Sequence, residues 1–191
     1  MKIGVLALQG DFDAHRKRLE ELGADVEMVR KPEQLQDVDG LVIPGGESSV
    51  FLNLLGEKGF QKLAEYVRTR PTFGTCAGCI LLAREVENPP QEGLGVLDVT
   101  VRRNAYGRQV DSTILEGESK LGGGPLEQVY IRAPRIERAG AEVEVLAERE
   151  GHPVLVRHGH TLAATFHPEL SPDPRVHEEF LRMVRELAAK N

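Results

Sequence analysis

The sequence predicts an α/β fold, with a mostly parallel sheet covered by helices on both faces. Three observations carry the prediction. Short apolar runs alternate with amphipathic helical stretches through the first half of the chain. Glycine or proline punctuates the boundaries between them. The second half changes to period-two runs separated by turn residues, which makes it strand-rich.

Each element follows in order. Residues 3–8 (Ile-Gly-Val-Leu-Ala-Leu) form an apolar run stopped by Gln9-Gly10, as expected of a strand buried on both faces. A helix should follow, capped by Asp11 or Asp13, with Phe12, His15, Leu19 and Leu22 at helical spacing and Gly23 ending it. Strands are expected at 26–29 and 40–43, the second closed by Pro44-Gly45-Gly46, with a helical pattern starting near Ser48. A separate amphipathic helix is expected at 60–67, a brief strand at 71–75 and a helix at 77–83. Further strands are expected at 98–102, 128–133, 143–147, 154–157 and 161–166, and residues 116–125, rich in glycine, read as an exposed loop. A final helix begins near Pro174, and its stripe of Val176, Phe180, Val184 and Leu187 should face the core.

At 191 residues the chain should form one domain, 1–191, with room for a sizeable core. Its 40% hydrophobic content excludes disorder as the main theme. Lys and Arg total 24 against 30 Asp and Glu, a net charge of −6, which offers no attraction to phosphate backbones or anionic membranes. No nucleic-acid or membrane partner is therefore expected. The longest stretch free of charge, 71–83, is 13 residues, short of the roughly 20 that a spanning helix needs. The apolar start is also too short for a signal-peptide core, so the expectation is a cytoplasmic protein. Two cysteines three positions apart, Cys76 and Cys79, cannot form a secreted-type disulfide framework.

The most informative local sequence is Gly74-Thr75-Cys76-Ala77-Gly78, placed between an expected strand and an expected helix. A nucleophile on so sharp a turn needs small neighbours, because side chains at either glycine would collide with adjacent structure. A thiol at a helix N-terminus also meets the positive end of the peptide dipoles, which favours the reactive thiolate. The N–H of Ala77 would face the oxyanion formed when Cys76 attacks a carbonyl. A buried, purely structural Cys76 is the competing reading. The C-x-x-C spacing also fits redox sites, although no second cysteine pair exists to complete a tetrahedral zinc site. Cys79, amid Ile80-Leu81-Leu82, reads most simply as a packing residue.

His167-Pro168-Glu169 supplies a base and its orienting group. Proline keeps the preceding histidine extended, and in extended chain residues i and i+2 project to the same side. Glu169 can then hold the His167 ring while its other nitrogen exchanges the thiol proton. Pro44-Gly45-Gly46-Glu47-Ser48-Ser49 lacks the lysine of a P-loop, but its glycine N–H groups, Gly46 in particular, could supply a second oxyanion donor, and Ser48 or Ser49 could cap the helix. Arg102, Arg103 and Arg132 are candidates for gripping a substrate carboxylate. No other histidine stands in a metal-ligand context.

With these residues in hand, the chain resembles the class I, triad-type glutamine amidotransferases. More narrowly, six segments are similar to the glutaminase subunits of pyridoxal 5′-phosphate synthase: 4–10, 43–48, 74–78, 103–109, 131–134 and 167–170. The stretch Arg103-Asn104-Ala105-Tyr106-Gly107-Arg108-Gln109 discriminates most, because the elbow and triad belong to all such amidotransferases. The resemblance implies a doubly wound α/β fold and hydrolysis of L-glutamine to glutamate and ammonia. Cys76 would be the nucleophile, His167 the acid and base, and Glu169 its partner. Gly46, Glu47, Ser48, Arg103, Ile131 and Arg132 would hold glutamine, with Gly46 and Ala77 at the oxyanion. Ammonia would pass to a synthase subunit in a large hetero-oligomer, and no cofactor or metal is implied for this chain. The sequence departs from the family pattern at Cys79, commonly apolar there, and at Tyr130, often phenylalanine. A triad glutaminase serving another synthase, and a Cys76/Cys79 thiol-redox domain, are the alternatives.

Overall fold

The chain, described here by a computed structural model over residues 1–106 and 112–191, opens with the expected strand–helix alternation. Strand β1 (Lys2–Leu6) leads into α1 (Phe12–Glu21), followed by β2 (Asp25–Val29), a 3-10 turn at Pro32–Asp37 and β3 (Gly40–Ile43). Helix α2 (Ser48–Thr69), β4 (Thr72–Thr75), α3 (Ala77–Leu82), β5 (Ala83–Glu87) and β6 (Leu97–Arg102) come next. The strand-rich half holds β7 (Ser112–Gly117), β8 (Leu126–Ile131), β9 (Arg135–Ala139), β10 (Glu144–Arg149), β11 (His152–His158) and β12 (Thr161–Ala164). A 3-10 turn at Pro168–Leu170 and α4 (Arg175–Ala189) close the chain.

Seven strands form the central sheet in the order β10-β11-β12-β4-β3-β1-β2. The five strands from β12 to β2 run parallel, and β11 and β10 extend the edge through two successive antiparallel pairings, so that β11 alone runs against the rest. Side chains alternate across this sheet as the pleat requires. Leu6, Leu41 and Ile43 pack into a cluster with Phe51, Leu63 and Val67 of α2 and the aliphatic residues of α3. Ile3, Val5, Val42 and Phe73 point the other way, into a cluster with Leu19 of α1 and Val176, Phe180 and Val184 of α4. Each such fully buried side chain contributes roughly 1.5–3 kcal/mol, so the sheet is held from both faces. The doubly wound, mostly parallel architecture expected from the sequence is present.

The two helices expected, one starting near 48 and one at 60–67, are both present within Ser48–Thr69, parted at Gly56, whose backbone (φ 64°, ψ 176°) leaves the helical region. Several details differ from the sequence reading. Strands β5 and β9 were not legible, and they pair with β6 in a small separate sheet, β5-β6-β9. Strand β7 takes the first two residues of the expected 116–125 loop and forms a hairpin with β8, Ser112 opposite Ile131 and Gly117 opposite Leu126. The loop beyond it is tied to the start of α4, where the Arg175 guanidinium donates to the carbonyls of Gly124 (2.9 Å) and Pro125 (2.8 Å). The α4 stripe is buried as expected, with Leu187 only partly covered.

Candidate active site

Strands β12, β4, β3 and β1 are neighbours and parallel, so their carboxyl ends lie along one edge, where ligands bind in open α/β sheets. Four loops leave from that edge. They carry Asp11 after β1, Gly45 to Ser48 after β3, Cys76 after β4 and His167 after β12.

Cys76 sits on the turn between β4 and α3 with φ 49° and ψ −105°, a conformation that costs a non-glycine residue on the order of 1–3 kcal/mol. Its N–H donates to the Ala164 carbonyl at 2.9 Å, which anchors the elbow to β12. The flanking glycines are sterically required. A Cβ on Gly78 would lie 2.1 Å from the Ile43 carbonyl oxygen, and one on Gly74 would lie 2.6 Å from the Gly78 carbonyl carbon. Gly45 is as crowded, since a Cβ there would come within 2.5 Å of His167 Cε1 and 3.6 Å of Cys76 Cβ.

His167 Nδ1 and Glu169 Oε1 are 2.6 Å apart, with side chains 4% and 0% exposed. The backbone N–H of His167 donates to Val129 at 2.7 Å, fixing where the ring stands. Burial pulls the imidazole pKa down. Interaction with the Cys76 sulfur, then with the Glu169 carboxylate, outweighs it and raises the value to about 10. That direction favours the protonated ring, the form able to donate a proton to a leaving group. The thiol of Cys76 lies 4.0 Å from the Ile131 carbonyl.

Cys76 and His167 line a cavity of about 350 Å³ together with Gly46, Glu47, Ser48, Arg103, Ile131 and Arg132, so the structure gathers these sequence candidates in one place. Asp11, Ile80, Asn104 and Pro134 complete the wall. Glu169 stands behind His167, out of the lining. Ala77 also lies outside it, almost fully buried, but as the first residue of α3 its N–H belongs to those without an intrahelical acceptor. Arg102 is exposed and does not line the cavity. Gly107, Arg108 and Gln109 lie outside the described residues.

Two roles differ from expectation. Glu47, not a serine, occupies the N-cap of α2: its Oε1 accepts from the Ser49 N–H (3.4 Å) and hydroxyl (3.0 Å), and pairs with Arg103 at 2.8 Å. Ser48 is buried and donates to Gln91 at 2.9 Å. Asp11 holds the N-cap position of α1 but makes no side-chain cap bond, and its carboxylate stands 3.7 Å from His167 Nδ1. Asp11, His167 and Glu169 place ligand-type atoms within 4.8 Å of one another. The 2.6 Å bond already commits His167 Nδ1 to Glu169, with Asp11 beyond hydrogen-bond distance of the same nitrogen. A larger open groove of about 640 Å³ beside the Gly56 kink is lined by Glu57, Phe60, Glu65 and Arg68 and contains no nucleophile.

The second cysteine does not join this chemistry. Cys79 is fully buried, and burial, followed by the charge of Cys76, pushes its thiol up to about 12. It is protonated at every physiological pH, the state least suited to thiol exchange.

An elbow cysteine facing a carboxylate-backed histidine, on the carboxyl edge of a doubly wound sheet, defines a class: an α/β enzyme of the glutamine amidotransferase type. The chain belongs to the SNO glutamine amidotransferase family, whose profile matches residues 5–186. It is 70% identical over 185 residues to "Pyridoxal 5′-phosphate synthase subunit PdxT" of Koribacter versatilis (strain Ellin345), covering 97% of this chain and 96% of that protein. The protein of the same name from Fervidobacterium nodosum is 50% identical over 188 residues, covering 97% and 98%. A solved crystal structure of a glutamine amidotransferase superposes with a TM-score of 0.89 at 45% identity, over 96% of this chain and 98% of that one.

Proposed function

We propose that this chain is the glutaminase subunit of a pyridoxal 5′-phosphate synthase, a single domain over 1–191 that hydrolyses L-glutamine and hands the ammonia to a synthase subunit. The observation that carries the reading is that Cys76 and His167 line one cavity while Glu169, behind the ring, holds His167 Nδ1 at 2.6 Å. The 70% identity to a named synthase subunit supports the choice of partner.

The Cys76 thiolate adds to the side-chain amide carbon of glutamine. The resulting oxyanion is met by the N–H groups of Gly46 and Ala77. His167 then gives its proton to the amide nitrogen, the C–N bond breaks, ammonia leaves and a γ-glutamyl thioester remains on Cys76. Water, deprotonated by the now neutral His167, attacks the thioester carbon. The second tetrahedral intermediate expels the thiolate and releases glutamate, and the imidazolium is restored. Arg103 and Arg132 face the glutamine carboxylate, with Glu47, Ser48 and Ile131 completing the grip. Arg103 is already oriented by Glu47 at 2.8 Å.

Ammonia in neutral water is mostly protonated and no longer nucleophilic, so transfer inside a hetero-oligomer is the chemically sensible route. No helix of the described residues is long and apolar enough to cross a membrane. We read the chain as a cytoplasmic subunit acting with a protein partner, and its net charge of −6 offers no attraction to nucleic acid or anionic membranes. The test mixes the chain with the synthase subunit, glutamine, a pentose phosphate and a triose phosphate, and measures glutamate and pyridoxal phosphate together. Formation of both is expected. Glutamate without the coenzyme would favour another synthase, and neither product would overturn the reading.

A further inference from the structure

Behind the triad lies a second pair of histidines that the mechanism above does not use. His15 on α1 and His177 on α4 are fully buried, 162 positions apart in sequence, with His15 Nδ1 2.9 Å from His177 Nε2. The other ring nitrogen of His15, Nε2, lies 3.1 Å from the Thr75 hydroxyl, one residue before Cys76, and 3.4 Å from Glu169 Oε2. That oxygen is buried and has no hydrogen-bond partner among the described residues, the 3.4 Å approach of His15 being an ion-pair distance.

The network selects one tautomer. If His15 carried its proton on Nδ1, it would donate to His177 Nε2. That would leave a buried N–H on His177 Nδ1 without an acceptor and, with the His15 Nε2 lone pair accepting from the Thr75 hydroxyl, leave Glu169 Oε2 without a donor. If the proton is on Nε2, His177 donates to His15 Nδ1, and His15 donates toward Thr75 and Glu169. Only a lone pair on His177 Nδ1 then stays unpartnered. An orphaned buried N–H together with a buried carboxylate oxygen that has no donor is the costlier pattern.

We propose that His15 is a positioning residue for the triad, resting on the glutaminase reading above: as the Nε2–H tautomer fixed by His177, it holds the free oxygen of Glu169 and so aims the other oxygen at His167. The surroundings suit a neutral donor. Burial drives both histidines down to about 3, with the Glu169 charge opposing this at His15 and the Arg18 charge adding to it at His177. Phe73, at 6.1 Å edge-on to His15 and 5.5 Å from His177, fixes the rings. A short bond of 2.6 Å between Glu169 and His167 needs a carboxylate that cannot rotate, and with no hydrogen bond on Glu169 Oε2 among the described residues, the 3.4 Å contact with His15 is what stands in its way.

The test has three arms. Long-range nitrogen–proton NMR of the wild-type chain should show His15 neutral with its proton on Nε2. The downfield proton resonance of His167 Nδ1, expected for so short a bond, should be present in wild type, lost in His15→Leu and restored in His15→Gln, whose amide can donate from the same place. In the complex with the synthase subunit, His15→Leu should lower kcat by about tenfold or more with KM for glutamine unchanged, and His15→Gln should recover it. An Nδ1–H tautomer at His15, a His15→Leu variant that keeps the resonance, or a glutamine variant no better than the leucine one would overturn the proposal. Should the leucine variant not fold, the wild-type tautomer and the glutamine variant still decide. Wild type inactive on glutamine with its partner would instead sink the glutaminase reading, and it would do so without changing the tautomer found at His15.

Discussion

Replacing Glu169 by glutamine keeps the side-chain volume and removes one charge from the pair that governs His167. The two side chains are 4% and 0% exposed, so solvent screens their interaction little. With Nδ1 and Oε1 at 2.6 Å, the charge centres are about 4 Å apart. An effective dielectric constant of about 20 then gives an attraction of about 4 kcal/mol, equivalent to about three pH units of proton affinity. In wild type, burial lowers the pKa of His167, while Cys76 and then Glu169 raise it, to about 10. The imidazolium is the working form, so activity should persist through neutral pH and fall as pH rises through that value. In Glu169→Gln this basic limb should move down by about three pH units, and kcat should drop by up to roughly 10⁴, the size of loss when a catalytic histidine loses its orienting carboxylate. The assay is glutamate release by the complex with the synthase subunit, as kcat/KM from pH 6 to 10.5 in steps of about half a unit. A variant whose basic limb coincides with that of wild type would refute the reasoning.

The remaining predictions concern the elbow and the buried histidines. Gly78→Ala places a methyl 2.1 Å from a backbone oxygen of β3. A strain of about 3 kcal/mol is expected, lowering Tm by about 6–12 °C in a thermal melt. Cys79→Ala should keep full glutaminase activity and lose only about 1 kcal/mol of stability for the missing buried atom, whereas a redox role would need the thiol. His15 and His177 have folded-state pKa values lowered from 6.5 to about 3. Below pH 6.5 the unfolded chain therefore binds protons that the folded chain refuses, so their stabilising effect is complete above that pH and is lost as pH falls toward 3. Together they should steepen the decline in urea-unfolding free energy by up to about 2.7 kcal/mol per pH unit between about pH 5.5 and 4, and His177→Leu should flatten it.

Much of this architecture was legible because it rests on short-range signals. The apolar runs of β1, β3 and β4, the glycine-flanked Cys76 and the proline after His167 are each local. Their meeting then follows from parallel strands whose carboxyl ends must share an edge. The missed strands lacked such a signal. In β9 only Ile136 is fully buried among charged neighbours, and in β7 the apolar pair Ile114-Leu115 is adjacent, with Ile114 65% exposed, so neither shows apolar and polar residues in clean alternation. The two helical patterns starting near 48 and at 60–67 were legible as separate because each carries its own apolar spacing, and Gly56 between them does leave the helical region. His15 was visible only as a member of the apolar stripe of α1. Its partners come from β4, the Pro168–Leu170 turn and α4, and nothing local links them. Asp11 read as a cap because its position is that of a cap, while its carboxylate faces His167.

The central claim is that Cys76 carries the acyl group and His167 moves its proton. Intact-mass analysis of the complex, acid-quenched during turnover of glutamine, tests it directly. A mass increase of one γ-glutamyl group, mapped to Cys76, is expected in wild type, and it should be absent in Cys76→Ala and strongly reduced in His167→Asn. Glutamate release by Cys76→Ala at the wild-type rate, or an adduct on Cys79 in place of Cys76, would contradict the account.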